Sequence, residues 1–307
     1  MIGVYDSGLG GLTVLRELLR RLPHTDFLYL GDTARAPYGD RPASEIISFS
    51  QQILRFMVAQ QAQMVVAACN TSSALALPVV RRQFPVPVLG VIEPGADAAA
   101  QWVAQSKVPP QELSVGVIAT VATVRNGAYL RALQSRLAPQ VRIIQQACPA
   151  LVPLIEAGHL DTPDLWAAAQ ECLAPLARSG VRVVILGCTH YPLILPVLRA
   201  LMPPDTVFVD PAQQTAEQAA RLVGEAPAEA GRPVPPEPGP RPGRGRRKIR
   251  FYTSGDPEEF QAAASRILGW DLPPAGQWNP EDEISFMAGE NEGGVQPWLR
   301  PAWEKQA

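Results

Sequence analysis

MVVAACNTSSALALP, residues 64–78, runs from an apolar strand through a cysteine and a cluster of hydroxyl and amide side chains into a helical pattern. The same order returns in VVILGCTHYPLILP, residues 183–196. A second pair, GVYDSGLGGLT (3–13) and GVIATVATVRN (116–126), sets Gly3 over Gly116 and Ser7 over Thr120. Two motif pairs recurring at nearly the same offset point to a chain built twice, as two related domains. Chance resemblance between short strand-turns is the alternative.

Outward from these motifs, short apolar runs at 2–5, 27–30, 64–67, 86–89, 115–119, 141–145, 181–186, 206–209 and 250–253 read as strands. Helical patterns lie between them, among them 11–22, 45–60, 123–137 and 164–179. Strand and helix alternating at this spacing predict the α/β class, with parallel sheets covered by helices. The duplication predicts two pseudo-symmetric parallel-sheet domains that can aim both cysteine motifs at the cleft between them, where an active site is then expected. Ligands in such sheets bind beyond the carboxyl ends of the strands, so the residues just after each strand are the ones to inspect.

At 307 residues the chain can bury a substantial core. Apolar content of 47% and a net charge of −2 fit a soluble globular protein with no strong pull toward nucleic acid or membrane. The strand pattern begins at Ile2, which leaves no room for a secretory signal. Four cysteines, Cys69, Cys148, Cys172 and Cys188, are too scattered for a disulfide framework, and no C-x-x-C pair indicates zinc. Free thiols in a reducing cytoplasm are the expectation. Residues 225–248, EAPAEAGRPVPPEPGPRPGRGRRK, break the periodicity as a Pro/Gly/Arg-rich insert. Its basic end reads as a solvated linker before a nucleic-acid contact, because no aromatic residues interleave with it.

Cys148 and Cys172 read as small core residues. Cys69 and Cys188 differ, because each ends a strand and precedes a helical segment. Backbone N–H groups and the helix dipole there are expected to lower a thiol pKa from about 8.5. Their neighbours, Asn70-Thr71-Ser72-Ser73 and Thr189-His190-Tyr191, offer donors that suit a carboxylate. Two equivalent thiols across one ligand can invert a carbon stereocentre without a cofactor. One removes a proton and the other delivers one to the opposite face. Asp6 and His190 are candidate auxiliaries, one from each half, although Asp6 also suits the cap of the first helix.

The opening loop competes for another reading. Gly8-Leu9-Gly10 supplies G-x-G, and Asp32 stands where a ribose-binding acid belongs in an NAD-dependent oxidoreductase. Against this, the third glycine position is Thr13, and the charge of Asp6 would oppose a pyrophosphate.

YDSGLGGLTVL, YLGDTARAPYG, CNTSSALALP, GVIEPGA, CPALVPLIEAG, GCTHYPLI, VDPA and TSGDPEEF together resemble glutamate racemase. The likeness covers about residues 1–223 and 249–269. It implies a cofactor-independent and metal-independent isomerase supplying D-glutamate for bacterial peptidoglycan, cytoplasmic and commonly a homodimer. By motif, it implies that Cys69 and Cys188 are the acid/bases, acting on D- and L-glutamate respectively, with Asp6 assisting Cys69 and His190 assisting Cys188. Ser7, Pro37, Tyr38, Gly39, Asn70, Thr71, Thr120, Thr123 and Thr189 match substrate-pocket positions, and Asp32 and Glu156 match supporting acids. It also implies a first domain of residues 1–92 plus 206–270 and a second of 93–205, while residues 271–307, outside the likeness, read as an irregular tail. Aspartate racemase of the same superfamily is the nearest rival, and a non-catalytic amino-acid-binding protein is the rival of another class.

Overall fold

The apolar runs assemble into two parallel sheets, and the computed structural model describes residues 1–224 and 247–281. The strands are β1 (Ile2–Asp6), β2 (Phe27–Gly31), β3 (Met64–Ala67), β4 (Val88–Gly90), β5 (Ser114–Ala119), β6 (Arg142–Ala147), β7 (Val183–Gly187), β8 (Val207–Val209), β9 (Ile249–Thr253) and β10 (Gly276–Gln277). The first sheet has the order β10-β9-β2-β1-β3-β4 and the second β6-β5-β7-β8. Aligning the two motif pairs sets β2-β1-β3-β4 over β6-β5-β7-β8, the same order in both sheets. That correspondence is what a duplicated unit produces. β1, β2, β3, β5 and β7 are buried along their whole length, as expected of parallel strands covered on both faces.

The helices are α1 (Leu12–Arg21), α2 (Ala43–Ala59), α3 (Asn70–Leu75), α4 (Leu77–Val80), α5 (Ile92–Gln105), α6 (Val121–Asn126), α7 (Ala128–Gln134), α8 (Leu151–Glu156), α9 (Pro163–Arg178), α10 (Leu195–Ala200), α11 (Pro211–Leu222) and α12 (Pro257–Leu268). α1 buries Leu12, Leu15, Leu18 and Leu19 at helical spacing, and Arg20 and Arg21 stand at its carboxyl end, where the dipole favours cations. α11 buries the small side chains Ala212, Ala216, Ala219 and Ala220 and packs against both α1 and α5. It thus ties the two halves together.

Several expectations need correction. β8 pairs with β7, so this strand belongs to the second sheet and not to the first domain, where a boundary at 206 puts it. The crossover back comes with α11, capped at Asp210. The helical pattern at 123–137 is two helices, because Gly127 takes a left-handed φ of 70° between α6 and α7. The insert lies outside the described residues except for its end. There Arg247 donates to the Leu19 carbonyl, and the Lys248 backbone N–H donates to Asp26. The tail is not wholly irregular. β10 adds to the β9 edge, Leu272 and Trp278 are buried, and the Trp278 ring lies 5.8 Å from Phe56. Covering a sheet edge with an aromatic anchor removes both an open ladder and apolar surface.

Free thiols at all four cysteines are also overturned, since Cys148 and Cys172 form a disulfide. α9 packs along β6, which brings the buried Cys172 to the end of that strand. The Cα atoms are 5.4 Å apart, within the usual range for the bond.

Candidate active site

Burying polar groups is costly unless they pair, so a concentration of them marks a site. Asp6, Ser7, Asp32, Asn70, Thr71, Thr123, Thr189 and His190 are all buried, and all lie at or after the carboxyl ends of strands. Asp6 ends β1 and Ser7 follows it, Cys69 follows β3, Thr120 follows β5, and Cys188 follows β7.

The contacts form a chain from one thiol to the other. Cys69 Sγ lies 3.8 Å from Ser7 Oγ. The adjacent Asp6 accepts from the Gly8 backbone N–H at 3.0 Å and, across the domain boundary, from Thr189 Oγ1 at 3.3 Å. Cys188 Sγ stands 3.6 Å from His190 Nδ1. His190 Nε2 is 3.1 Å from Glu156 Oε1, an ion-pair contact without hydrogen-bond alignment. Thr13 donates to the Thr189 carbonyl at 3.2 Å and holds the same loop from the first half. A second crossing joins Thr71 Oγ1 to Thr120 Oγ1 at 3.2 Å and to Thr123 Oγ1 at 3.4 Å. Thr120 also caps α6 by accepting from the Thr123 N–H.

A cavity lies in this cleft. Ser7, Pro37, Tyr38, Gly39, Thr71, Thr120, Glu156 and His190 are on its wall, so eight of the sequence-predicted residues come together. Asp6, Asn70, Thr123, Thr189 and the two free cysteines are not on the wall. Each free cysteine is nonetheless within one contact of a wall residue, Ser7 or His190. Asp32 plays a different part. Its carboxylate takes Arg35 Nε at 2.7 Å, Ser254 Oγ at 2.7 Å and the Tyr38 hydroxyl, which fixes the Pro37-Tyr38-Gly39 loop. A fully buried carboxylate with three partners has no capacity left for a ribose, which removes the nucleotide reading of that residue.

Sequence reasoning missed Asp40, Val121, Cys148, Pro149, Val152 and Pro153 on the wall. Four of them lie in CPALVPLIEAG, where the apolar pattern reads as core and hides the pocket.

The two thiols sit in unlike electrostatic surroundings. Burial and then the Asp6 charge push the Cys69 thiol up to about 11, against weaker help from Ser72 and Ser7. The expectation of a lowered pKa there fails, because α3 is only six residues long and the sulfur is desolvated. Burial alone would lower the His190 pKa. The Cys188 sulfur and Glu156, with Asp6 further off, outweigh it and hold the imidazole well above its usual value. Cys188 leads into a tight 3-10 turn (Tyr191–Ile194) instead of the expected α-helix, and His190 stands beside its sulfur. Burial pushes Asp6 up too, opposed by His190 and the Gly8 and Gly11 amides.

Each of the two parallel-sheet halves brings a buried free thiol, with a polar side chain beside it, to the edge of one cleft. A family model described as Asp/Glu/Hydantoin racemase matches residues 7–219. A glutamate racemase from Nostoc sp. is 42% identical over 272 residues, covering 88% of this chain and 85% of that protein. One from Desulforudis audaxviator is 41% identical over 273 residues, covering 89% and 95%. The crystal structure of glutamate racemase isoform RacE1 from Bacillus anthracis superposes with a TM-score of 0.78 at 32% identity, covering 91% and 97%. The glutamate racemase from Francisella tularensis in complex with D-glutamate gives 0.77 at 28%, covering 92% and 98%. The chain belongs to the Asp/Glu/hydantoin racemase family, and within it to the glutamate racemases.

Proposed function

We propose that this protein is an isomerase that interconverts L- and D-glutamate by proton transfer at the α carbon between Cys69 and Cys188. The observation that carries the reading is the set of three buried contacts Cys69–Ser7, Asp6–Thr189 and Cys188–His190, linked by sequence neighbours across both halves of the fold.

L-glutamate binds with its α carbon between the sulfurs, and its carboxylates meet the hydroxyl and amide donors of Ser7, Asn70, Thr71, Thr120, Thr123 and Thr189. Cys188 takes the α proton from one face, with the charged His190 stabilising negative charge on its sulfur. Cys69, held as a thiol by burial, delivers its proton to the opposite face. One C–H bond breaks as an S–H bond forms, and one S–H bond breaks as the inverted C–H bond forms. The site then stands ready for D-glutamate, with the thiols exchanged in role. Asp6 fixes the Thr189 loop and repels charge on Cys69, and Glu156 sustains the His190 charge. The Pro37-Tyr38-Gly39 loop, braced by Asp32, closes the pocket. The reading carries with it D-glutamate supply for peptidoglycan, a cytoplasmic place, and a homodimer.

Circular dichroism of purified protein with L-glutamate tests it. The signal is expected to decay to zero as the racemate forms, while L-aspartate stays unchanged. A constant glutamate signal from folded protein overturns the proposal, and decay with aspartate alone favours the aspartate racemase alternative. Cys69→Ser and Cys188→Ser are each expected to cut racemisation by about 10²-fold or more. Full activity in either variant excludes the two-thiol mechanism.

A further inference from the structure

We propose that Tyr129 is a positioning residue for this reaction, holding the Asn70 carboxamide across the domain boundary so that its N–H donors face the substrate. The inference rests on the racemase reading above and goes beyond it, since neither the motifs nor the pocket wall single out Tyr129.

Tyr129 lies on α7 in the second half and is fully buried. Its hydroxyl donates to Asn70 Oδ1 at 2.7 Å, in the first half. Asn70 is the first residue of α3 and directly follows Cys69. The ring edge beside that hydroxyl reaches the end of β7, next to the second thiol. A Cβ on Gly187, the residue before Cys188, would stand 3.1 Å from the Tyr129 ring, and one on Gly95 would stand 3.4 Å from it. The ring is therefore wedged beneath the β7–Cys188 junction while its hydroxyl grips the Cys69 loop. One side chain spans both thiol-bearing segments.

A carboxamide can turn either its carbonyl or its N–H groups toward a ligand. A carbonyl facing a substrate carboxylate repels it, whereas N–H donors bind it. With Oδ1 committed to Tyr129, the donors are what remains for the cleft. Burial pushes the Tyr129 phenol well above its ordinary range, with the Asp210 and Cys188 charges acting the same way, so the hydroxyl stays a donor. A phenylalanine would fill the same space without this bond.

Tyr129→Phe tests the proposal through steady-state kinetics with both glutamate enantiomers. Unmutated protein is measured first. If it fails to racemise glutamate, the functional reading falls and takes this proposal with it. With activity established, Tyr129→Phe is expected to raise KM roughly threefold to tenfold, the worth of one buried hydrogen bond, with a smaller change in kcat. In an Asn70→Ala background the same substitution is expected to change KM less than about twofold, because a residue acting through Asn70 has nothing left to act on. An unchanged KM in Tyr129→Phe, or an equal effect in both backgrounds, overturns the proposal. Asn70→Asp approaches the bond from the other side, keeping the acceptor and deleting the donors. It is expected to raise KM more than Tyr129→Phe does, and an unchanged KM there also overturns the proposal.

Discussion

Gly10 shows why the opening loop is glycine-rich. A Cβ at this position would stand 2.7 Å from His190 Nδ1 and would also strike the Thr189 hydroxyl. The glycine thus serves close approach between the halves, and no phosphate is needed to explain it. Gly10→Ala is expected to push His190 off Cys188 and lower kcat/KM on the order of 10²-fold, the scale for misplacing a catalytic group by about 1 Å. Steady-state assays beside a thermal melt check this, and an unchanged kcat/KM refutes it. Cys69 and Cys188 were legible in the sequence because each ends an apolar run and meets polar residues that no core requires. Tyr129 was not legible, since a tyrosine in a helical apolar pattern reads as core and its partner is 59 residues away. The raised Cys69 pKa was illegible for a related reason. Desolvation depends on what packs over the sulfur, and the local motif shows only the helix that follows.

Among the elements, strand positions were read to within about two residues because buried parallel strands are continuous apolar runs. The break at Gly127 needed a backbone angle, and the membership of β8 needed its pairing partner, so both escaped the pattern. The Cys148–Cys172 bond escaped because a separation of 24 residues says nothing of how α9 lies on β6. Once formed, the bond clamps the pocket wall, since Cys148 lines the cavity and α8, with Glu156 at its end, begins three residues on. Cys172→Ser is expected to lower stability by about 3 kcal/mol on loop-entropy grounds. A thiol reductant should bring the unmutated protein's denaturation midpoint down to that of the variant and leave the variant's midpoint unmoved. A midpoint indifferent to reduction in the unmutated protein refutes the clamp.

In the whole molecule, two like-ordered sheets meet over a site crossed by the hydrogen bonds Thr189 to Asp6, Thr13 to Thr189 and Tyr129 to Asn70, all buried, and Thr71 to Thr120, half-buried. The duplicated fold places one buried free cysteine after a strand in each half, and the proposed reaction uses one on each face of the α carbon. L- and D-glutamate have equal free energy, so kcat/KM must follow the same pH profile from either side even though the two thiols are unlike. The same burial governs stability in alkali. Cys69 is pushed up from 9.0 to about 11, and Tyr5, Tyr29, Tyr38, Tyr129 and Tyr191 are all raised from 10.0, each chiefly by desolvation. Unfolded, these groups release protons near their ordinary values, whereas the folded protein keeps them. The folded state therefore binds more protons across that window, and its stability is full below the unfolded values and falls as pH rises through them. Cys69 alone accounts for a loss on the order of 3 kcal/mol, at about 1.4 kcal/mol per pKa unit, and the tyrosines add to it. The guanidinium midpoint is expected to drop steeply between about pH 9 and about pH 11, and Cys69→Ser is expected to blunt the first part of the fall. A midpoint flat across that range would show that the buried thiol and phenols do not hold their protons as their surroundings dictate.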